Sequence, residues 1–531
     1  MSASTKRKER QAAREAGVDK KQLAAQREAE LKAKSRTRWT LGGVAVVLLI
    51  AVILFLNSGF LYTRTTALTI GDDSYTPAEF SYQYANQYYN LVNQYGSYTS
   101  LIGLDTSAGT AGLADQECTM LEDGGSWKDY FMDVTKTAMT QYKAVEDYAA
   151  ANGITLSEDE LAQIEAEIAS VDEFAKQQGY SNGDNFLAAN YGEGVDKEIA
   201  REAAIQGLLV NKAATGYADA LEYTAEQLDE KYASFNGYYD NFDYVYYYVM
   251  AETVEDEEGN AAATEETIAA AQAQAEAILA AYAAVGNEEA DEAEDAEAVE
   301  VVEMSVEERM NAALAQAGVD GTATAATNSG QYIISTFSDW LMAQTVSGEA
   351  TITANDAGDG FYVVALADRD YNDYNLAQVR HILVMAQADE TGVFTDEAKA
   401  EAKAKAEDLL AQWQAGEATE ESFAALANEF SEDGGSNTNG GLYINVQKGQ
   451  MVEEFDAFCF EGHKAGDTGI VYGEVPGSYA GYHVMYYVGE GDNCADYIAR
   501  SELENADAQA WLDELVSAYE ATEKFWIKLA A

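Results

Sequence analysis

The sequence predicts an α+β protein of several domains, with an N-terminal transmembrane helix, a helical body completed by a C-terminal helix, and two small α+β domains. The chain has 531 residues, which is too many for one hydrophobic core. One uncharged apolar stretch lies near its start, at residues 39–56. Apolar residues at helical spacing dominate residues 60–240, whereas strand-like segments alternate with Ala-rich helices in residues 241–491.

The charges of the chain are distributed unevenly about the apolar stretch. Residues 1–38 contain 12 of the 32 Lys and Arg and only five acidic residues. The remainder has 20 basic and 87 acidic residues, a net charge of 20 − 87 = −67. Because basic flanks of a membrane span stay in the cytoplasm, we expect a cytoplasmic leader at 1–38, one transmembrane helix at 39–56, and an extracytoplasmic remainder.

A cleaved signal peptide is the alternative for residues 39–56, since eighteen residues is near the lower limit for a span. The long polar leader and the absence of a small-x-small site after residue 56 favour an uncleaved anchor in the cell membrane. The leader is expected to form an amphiphilic helix near anionic lipid. A nucleic-acid role is not favoured, because no aromatic residues interleave with its basic residues.

Residues 60–240 contain three helix-start signals of the capping-box type. They begin at Thr76, Ser157 and Thr224, each followed three residues later by Glu or Gln. Pro77 occupies a first helical position, where its missing N–H costs nothing. Apolar stripes follow each signal, and the first consists of Phe80, Tyr84, Tyr88 and Leu91. Such stripes predict the buried sides of packed helices.

Residues 376–491 contain all three histidines of the chain, and two of them lie in strand-like segments, one in each. His381 lies in the first segment, at residues 379–384, and His483 lies in the last, at residues 482–488. Between them come an Ala-rich helix, a short helix, a Ser-x-Asp loop that ends at Asp433, and the sequence Gly-x-Met-Val-x-x-Phe from Gly449. Side chains alternate along a strand, so each histidine shares one face with the residues two positions away.

This order of motifs resembles the parvulin family of peptidyl-prolyl cis/trans isomerases. The resemblance implies an α+β fold and an enzyme that rotates X–Pro peptide bonds. It also implies that His381, His483 and Asp433 are the catalytic residues. Rotation about a peptide bond crosses a barrier of about 18–20 kcal/mol without breaking any bond, so neither a cofactor nor a metal is expected.

The same resemblance implies an apolar slot for the proline ring. Met451 and Phe455 would form this slot, and Tyr443 and Tyr482 would complete the substrate-binding residues. Without the resemblance, a strand histidine is more often a hydrogen-bonded core residue, and Met and Phe at i, i+4 are more often core packing.

Residues 241–372 repeat the pattern of the later segment and predict a degenerate parvulin-like domain. Two strands and an Ala-rich helix recur in the same order, with Tyr246 and Tyr362 at the two histidine positions. We therefore expect this copy to be catalytically silent and to serve as a spacer or a client-binding surface. Its acidic inserts, near residues 252–266 and 287–303, predict solvated loops. Specific Ca²⁺ binding is not favoured there, since no EF-hand spacing occurs.

Residues 492–531 are predicted to form a C-terminal helix whose apolar stripe packs on the helical module at 60–240. That arrangement, like the helical module itself, resembles the extracytoplasmic foldases of the SurA, PrsA and PpiD type. The resemblance implies a membrane-anchored foldase that binds unfolded or nascent secreted polypeptides containing proline, near the secretion machinery. A non-catalytic holdase and a scaffold of the cell envelope remain alternatives. Three cysteines are too few for a disulfide framework, and their number is odd. One disulfide bond between two of them remains an alternative.

Overall fold

A computed structural model of the chain describes residues 3–15, 47, 59–255, 261–285 and 304–530. Apart from Val47, the predicted transmembrane segment lies outside the described residues. The described residues also exclude residues 1–2 and 16–38 of the predicted leader and the second acidic insert, near residues 287–303. The described residues form two compact units, one within Met1–Leu221 and Ala506–Ala531 and the other within Glu222–Asn505.

The first unit, called the helical unit here, is built mainly from helices. Its elements are α1 (Ala3–Glu15), α2 (Phe60–Arg64), β1 (Leu68–Ile70), β2 (Asp73–Tyr75), α3 (Pro77–Tyr95), α4 (Trp127–Ala151), α5 (Glu158–Gln177), α6 (Gly183–Tyr191) and α7 (Lys197–Ala218). The two capping boxes predicted at Thr76 and Ser157 form, with both hydrogen bonds of each box present. The stripe predicted on α3 is buried against Trp127 and Phe131 of α4.

The C-terminal segment of the chain contributes to the helical unit in a form that differs from the prediction of one helix. Helix α15 (Cys494–Val516) ends well before residue 531, and β13 (Ala521–Glu523) follows it. In the helical unit, Trp511 stacks on Tyr217 at 4.6 Å between ring centroids. Strand β13 pairs antiparallel with β1, because the edge of the β1–β2 hairpin offers backbone groups that need partners.

The second unit begins with α8 (Ala225–Ser234), whose capping box at Thr224 also forms. Two α+β domains follow. The first consists of β3 (Asn241–Met250), β4 (Thr253–Glu255), β5 (Ala261–Ala263), α9 (Glu265–Val285), α10 (Val306–Gln316), β6 (Thr324–Ser329), α11 (Ser335–Met342), β7 (Ala350–Ala354) and β8 (Gly360–Asp370). The second consists of β9 (Asn375–Met385), α12 (Asp396–Ala415), α13 (Glu420–Phe430), β10 (Leu442–Val446), α14 (Glu453–Phe460), β11 (Thr468–Val475) and β12 (Tyr479–Asn493).

The main sheets of the two domains have the same architecture. Their strand orders are β6-β3-β8-β7 and β10-β9-β12-β11, and every neighbouring pair is antiparallel. In each, the first and last strands of the domain form the centre of the sheet. The order of the principal helices along the chain also agrees.

Each face of the second domain's sheet packs against different helices. Ile382 and Val484 belong to a core with α12 and α13. Val379 and Met485 belong to another core with α14. This two-sided packing follows from the alternation of side chains along β9 and β12.

In the described part of the chain, one helix is long and apolar enough to span a membrane by length and composition, and that helix is α9. Its side chains Ala275, Ile278 and Tyr282 are buried in the core of the first α+β domain. One face of α9 therefore packs within that domain.

Candidate active site

Two central strands bring the predicted histidines together. In the antiparallel pairing of β9 with β12, His483 lies opposite Leu383 and Met485 lies opposite His381, so the two imidazoles are diagonal neighbours on one face. Their Nδ1 atoms are 2.9 Å apart, and the rings stack with 5.1 Å between centroids. His381 is 3% exposed and His483 is 7% exposed.

The loop after α13 places Asp433 beside this pair. The loop is fixed to β9 because Ser431 Oγ accepts a hydrogen bond from the N–H of Leu383 and the N–H of Glu432 donates to the Leu383 carbonyl. Asp433 Oδ2 then lies 2.9 Å from His381 Nε2. The hydroxyl of Ser436 also donates to Oδ2. A carboxylate thus lies against the buried imidazole pair.

The hydrogen bonds around Asp433 favour its ionised form. The bond from His381, together with those from Ser436 and the Gly435 N–H, holds the pKa of Asp433 well below its usual range although burial opposes this. Burial lowers the pKa of His483 to about 3, and the neighbouring His381 adds to that shift against the attraction of Asp433. At neutral pH the site therefore combines a carboxylate with a neutral His483.

These protonation states define the direction of a hydrogen-bond chain. With Asp433 ionised, His381 must present Nε2–H to it. If the His381 ring is neutral, its Nδ1 accepts from Nδ1–H of His483, and His483 Nε2 is left as an acceptor. The hydroxyl of Tyr479, which contacts this Nε2, supplies the remaining donor. Each ring nitrogen then has a partner, as buried polar atoms require.

Aromatic and apolar side chains cover the imidazole pair on the α14 side. The ring of Phe455 lies edge-on to both histidines, with centroid distances of 5.3 Å to His381 and 5.2 Å to His483. Met451 packs in the same cluster and is partly exposed. Tyr443 is 5.3 Å from His381 between ring centroids, and its hydroxyl donates to Asp433 Oδ2 at 3.0 Å. Phe455, Met451 and Tyr443 thus border the polar pair.

The structure separates Tyr482 from the other predicted substrate-binding residues. Adjacent residues of a strand point to opposite faces, so Tyr482 points away from the face of His483. It packs with Tyr472 in the core beside α12 and α13, at 5.0 Å between ring centroids. The prediction for Tyr482 was therefore wrong in its geometry.

Two residues of the hydrogen-bond network were not found from the sequence. Tyr479 precedes His483 by four positions, an even spacing that places both on one face of β12. That spacing could have identified Tyr479 from the sequence. Ser436 follows Asp433 by three positions and is buried, but its contact depends on the fold of a loop without regular spacing.

The corresponding position in the first α+β domain is occupied by aromatic rings. Tyr246 and Tyr362 stand where the two histidines stand in the second domain, with 5.9 Å between their ring centroids. Phe337 of α11 packs against both, at 6.0 and 5.4 Å. This apolar cluster replaces the imidazole pair, so the first domain lacks the polar network described above.

Two surface cavities of the second domain are lined by residues other than the histidines. Cavities of about 360 and 420 Å³ flank α13, and Glu421 and Ala425 line both. No three His, Cys, Asp or Glu side chains converge as metal ligands in the described ranges of the chain.

Comparison with known proteins identifies the domain that carries this site. Residues 361–486 match the PPIC-type PPIase domain family. The chaperone SurA of Alkalilimnicola ehrlichii is 37% identical over 118 residues, which are 22% of this chain and 24% of SurA. The match thus spans about a quarter of that curated relative. The chain contains a parvulin-type peptidyl-prolyl isomerase domain.

Solved structures of PrsA proteins are also similar to parts of this chain. The peptidylprolyl isomerase PrsA of Bacillus anthracis is 20% identical, and the match covers 28% of this chain and 59% of that one with a TM-score of 0.17. The foldase PrsA of Streptococcus pneumoniae is 11% identical, with coverage of 72% and 81% and a TM-score of 0.22. These TM-scores are too low to describe the architecture of the whole chain.

Proposed function

We propose, from the parvulin-type domain in residues 361–486, that this protein is a membrane-anchored extracytoplasmic foldase that binds unfolded secreted polypeptides and isomerises their X–Pro bonds. The observation that carries the proposal is the buried contact of His381 with both His483 and Asp433, beside the ring of Phe455. This group combines an apolar surface for a proline ring with fixed polar atoms for the adjoining amide.

The chemistry requires only that the twisted amide be bound more tightly than the planar one. Twisting an X–Pro amide removes its conjugation and reduces its dipole, so an apolar, water-poor surface favours the twisted form. Phe455 and Met451 would hold the ring by burial. Asp433 and the two imidazoles would hold the amide in a fixed polar environment that needs no reorganisation. Each 1.4 kcal/mol by which the site binds the twisted amide more tightly than the planar one raises the rate about tenfold.

The anchor, the clients and the location are proposed from the sequence. The apolar segment 39–56 follows a basic leader, which supports an N-terminus in the cytoplasm and a chain outside the membrane. The net charge of 20 − 87 = −67 after residue 38 would raise encounter rates with basic unfolded segments and lower them as salt increases. Clients would be proline-containing polypeptides that emerge from nearby secretion machinery.

Exchange spectroscopy on a proline-containing peptide tests the catalytic claim directly. We expect His381→Ala and His483→Ala each to lower kcat/KM about a hundred- to a thousandfold, as removal of a fixed polar group does in other enzymes. Tyr246→Ala, at the matching place in the first α+β domain, is the control and should leave the rate unchanged. Equal rates for wild-type protein and His381→Ala, with both folded, would remove the enzymatic claim.

A non-catalytic holdase is the second candidate, and the first α+β domain favours it. That domain keeps the strand order of the second while Tyr246 and Tyr362 replace the histidines. A holdase predicts that suppression of client aggregation survives the loss of both His381 and His483. A scaffold would instead co-purify with one stoichiometric partner and show no affinity for unfolded chains.

A further inference from the structure

The short connection between the two α+β domains is held in a fixed conformation. It consists of residues 371–374, between β8 and β9. Asn372 is 3% exposed and adopts a left-handed backbone conformation with φ of 57°. Its side-chain amide donates to the Tyr232 hydroxyl at 2.9 Å and to the Tyr239 carbonyl at 2.7 Å. Its Oδ1 accepts from Asn241 at 3.1 Å. The connection is therefore anchored to the start of the first domain.

The last residue of this connection, Tyr374, contacts the second domain. Its hydroxyl accepts a hydrogen bond from the backbone N–H of Lys448 at 3.0 Å. The Lys448 ammonium lies 4.1 Å from the centre of the tyrosine ring, and the ring packs edge-on against Phe460 at 5.5 Å. The backbone carbonyl of Tyr374 also accepts a hydrogen bond from the N–H of Cys494 at 2.8 Å. One side chain of the connection thus holds a loop of the second domain.

That loop, residues 447–451, leads directly into the predicted proline slot. It turns at Gly449, whose φ is 75° and whose N–H donates to Asp456 of α14 at 2.7 Å. The N–H of Gln447 donates to the Gln450 side chain at 2.9 Å. Met451 is only three residues beyond Lys448. Tyr374 and Asp456 therefore tether the loop at Lys448 and Gly449, three and two residues before Met451.

We propose that Tyr374 is a positioning residue for the proline slot, through which the first α+β domain and its connection set the place of Met451. The proposal rests on the proposed isomerase function for its kinetic consequence. Its structural part, the position of Met451, holds whether or not the domain is active. Tyr374 acts on the slot without touching the imidazole pair, so substrate binding should respond and the chemical step should not.

Tyr374→Phe in the full chain tests this proposal. We expect KM for a proline-containing peptide to rise about two- to tenfold, which is the effect of one lost hydrogen bond, while kcat stays within about twofold. Lys448→Gln keeps the backbone N–H and should raise KM less. The matched control is Tyr89→Phe in the helical unit, which loses one hydroxyl bonded to a backbone carbonyl and should leave KM unchanged. A fall in kcat at constant KM would overturn the proposal.

The methyl resonance of Met451 gives a readout that does not depend on activity. In protein labelled at the methionine methyl groups, Tyr374→Phe should shift or broaden the Met451 signal and leave that of Met139 in place. If Tyr374→Phe does not fold, Asp456→Ala removes the other tether and must perturb the same signal. An unchanged Met451 signal in the folded variant would refute the proposal. A wild-type protein without isomerase activity would instead refute the proposed function and leave this test standing.

Discussion

The hydroxyl of Tyr479 forms a hydrogen bond with Nε2 of His483, four residues further along the same strand. This bond is at the end of the chain of hydrogen bonds that runs through His381 to Asp433. It gives the buried His483 a donor on the one ring nitrogen that does not face His381. Tyr479 is therefore placed to select the tautomer in which His483 donates to its partner.

Removing that hydroxyl should weaken the site without disrupting the fold. We expect Tyr479→Phe to lower kcat/KM about two- to tenfold, because His483 would lose its orienting donor while the ring would still pack. Tyr472→Phe is the control, since the Tyr472 hydroxyl bonds to Glu474 and its ring lies in the core beside α12 and α13. Equal effects of the two variants on kcat/KM would contradict the assigned role.

His483 should make the second domain less stable as the pH falls from about 6.5 to about 3. Burial lowers its folded-state pKa to about 3, whereas the unfolded imidazole has a pKa of 6.5. In this window the unfolded chain binds the proton and the folded chain does not, so the free energy of unfolding rises with pH. The pKa of Asp433 is lowered in the fold from 3.8, so its contribution to the free energy of unfolding is constant only above about pH 5.

Urea midpoints measured between pH 4 and pH 6 test this dependence. We expect His483→Gln to reduce the slope by up to about 1.4 kcal/mol per pH unit, which is the value for one proton. The variant's absolute stability is not the readout, since the substitution also changes packing. An unchanged slope would mean that His483 does not remain neutral in the folded domain.

Gly441 should tolerate alanine poorly because the chain just before β10 passes close to His381 there. Its φ is 70°, and a Cβ atom would lie 2.2 Å from the His381 carbonyl oxygen. Gly462 has a φ of 81° and no atom within 4 Å of such a Cβ, so it provides a matched control. We expect Gly462→Ala to cost about 1–2 kcal/mol for its left-handed backbone, and Gly441→Ala to cost about 1–3 kcal/mol more. Comparable denaturation midpoints for the two variants would contradict this account.

The first α+β domain should depend on one buried ion pair. Asp240 Oδ2 lies 2.7 Å from a guanidinium nitrogen of Arg369, and their side chains are 4% and 11% exposed. Asp240→Ala would leave the guanidinium without its counter-charge and should cost about 3–5 kcal/mol. Asp240→Asn, which keeps an acceptor for the Tyr232 hydroxyl, should cost less. Thermal unfolding of both variants measures the difference. An unchanged free energy of unfolding in Asp240→Ala would refute the prediction.

The proposed membrane topology can be tested on intact cells. A C-terminal tag should be destroyed by protease added outside the cell, and an N-terminal tag should survive and remain attached to the membrane-bound fragment. Protection of the C-terminal tag would refute the orientation. Release of the mature chain without the N-terminal tag would favour the signal-peptide alternative for residues 39–56.

Sequence patterns predicted the local elements and the meeting of the histidines for different reasons. The capping boxes at Thr76, Ser157 and Thr224 are short-range interactions, so three residues of sequence suffice to find them. The contact of His381 with His483 followed from the order of motifs and not from any local signal. The sequence also indicates the face on which Tyr482 lies. Side chains alternate along β12, so Tyr482 and the next residue, His483, lie on opposite faces.

Other features depend on tertiary contacts that no local pattern contains. Strand β13 has three residues, and only its pairing with β1 makes it a strand. The position of Ser436 depends on the path of an irregular loop around Asp433. Tyr374 gains its contact with Lys448 because the connection between the domains crosses the loop before α14. Periodicity and propensity carry no information about such contacts.

The pairing of β1 with β13 also determines when the helical unit can finish folding. Thr69 and its partner Thr522 are 453 residues apart in the chain. At about 5–20 residues per second, synthesis of the intervening chain takes roughly 20 to 90 s. Both α+β domains are complete before β13 emerges, whereas the edge of β1 stays unpaired until β13 has been synthesised. The newly made protein therefore spends that time with an exposed strand edge and is itself open to aggregation until its last strand arrives.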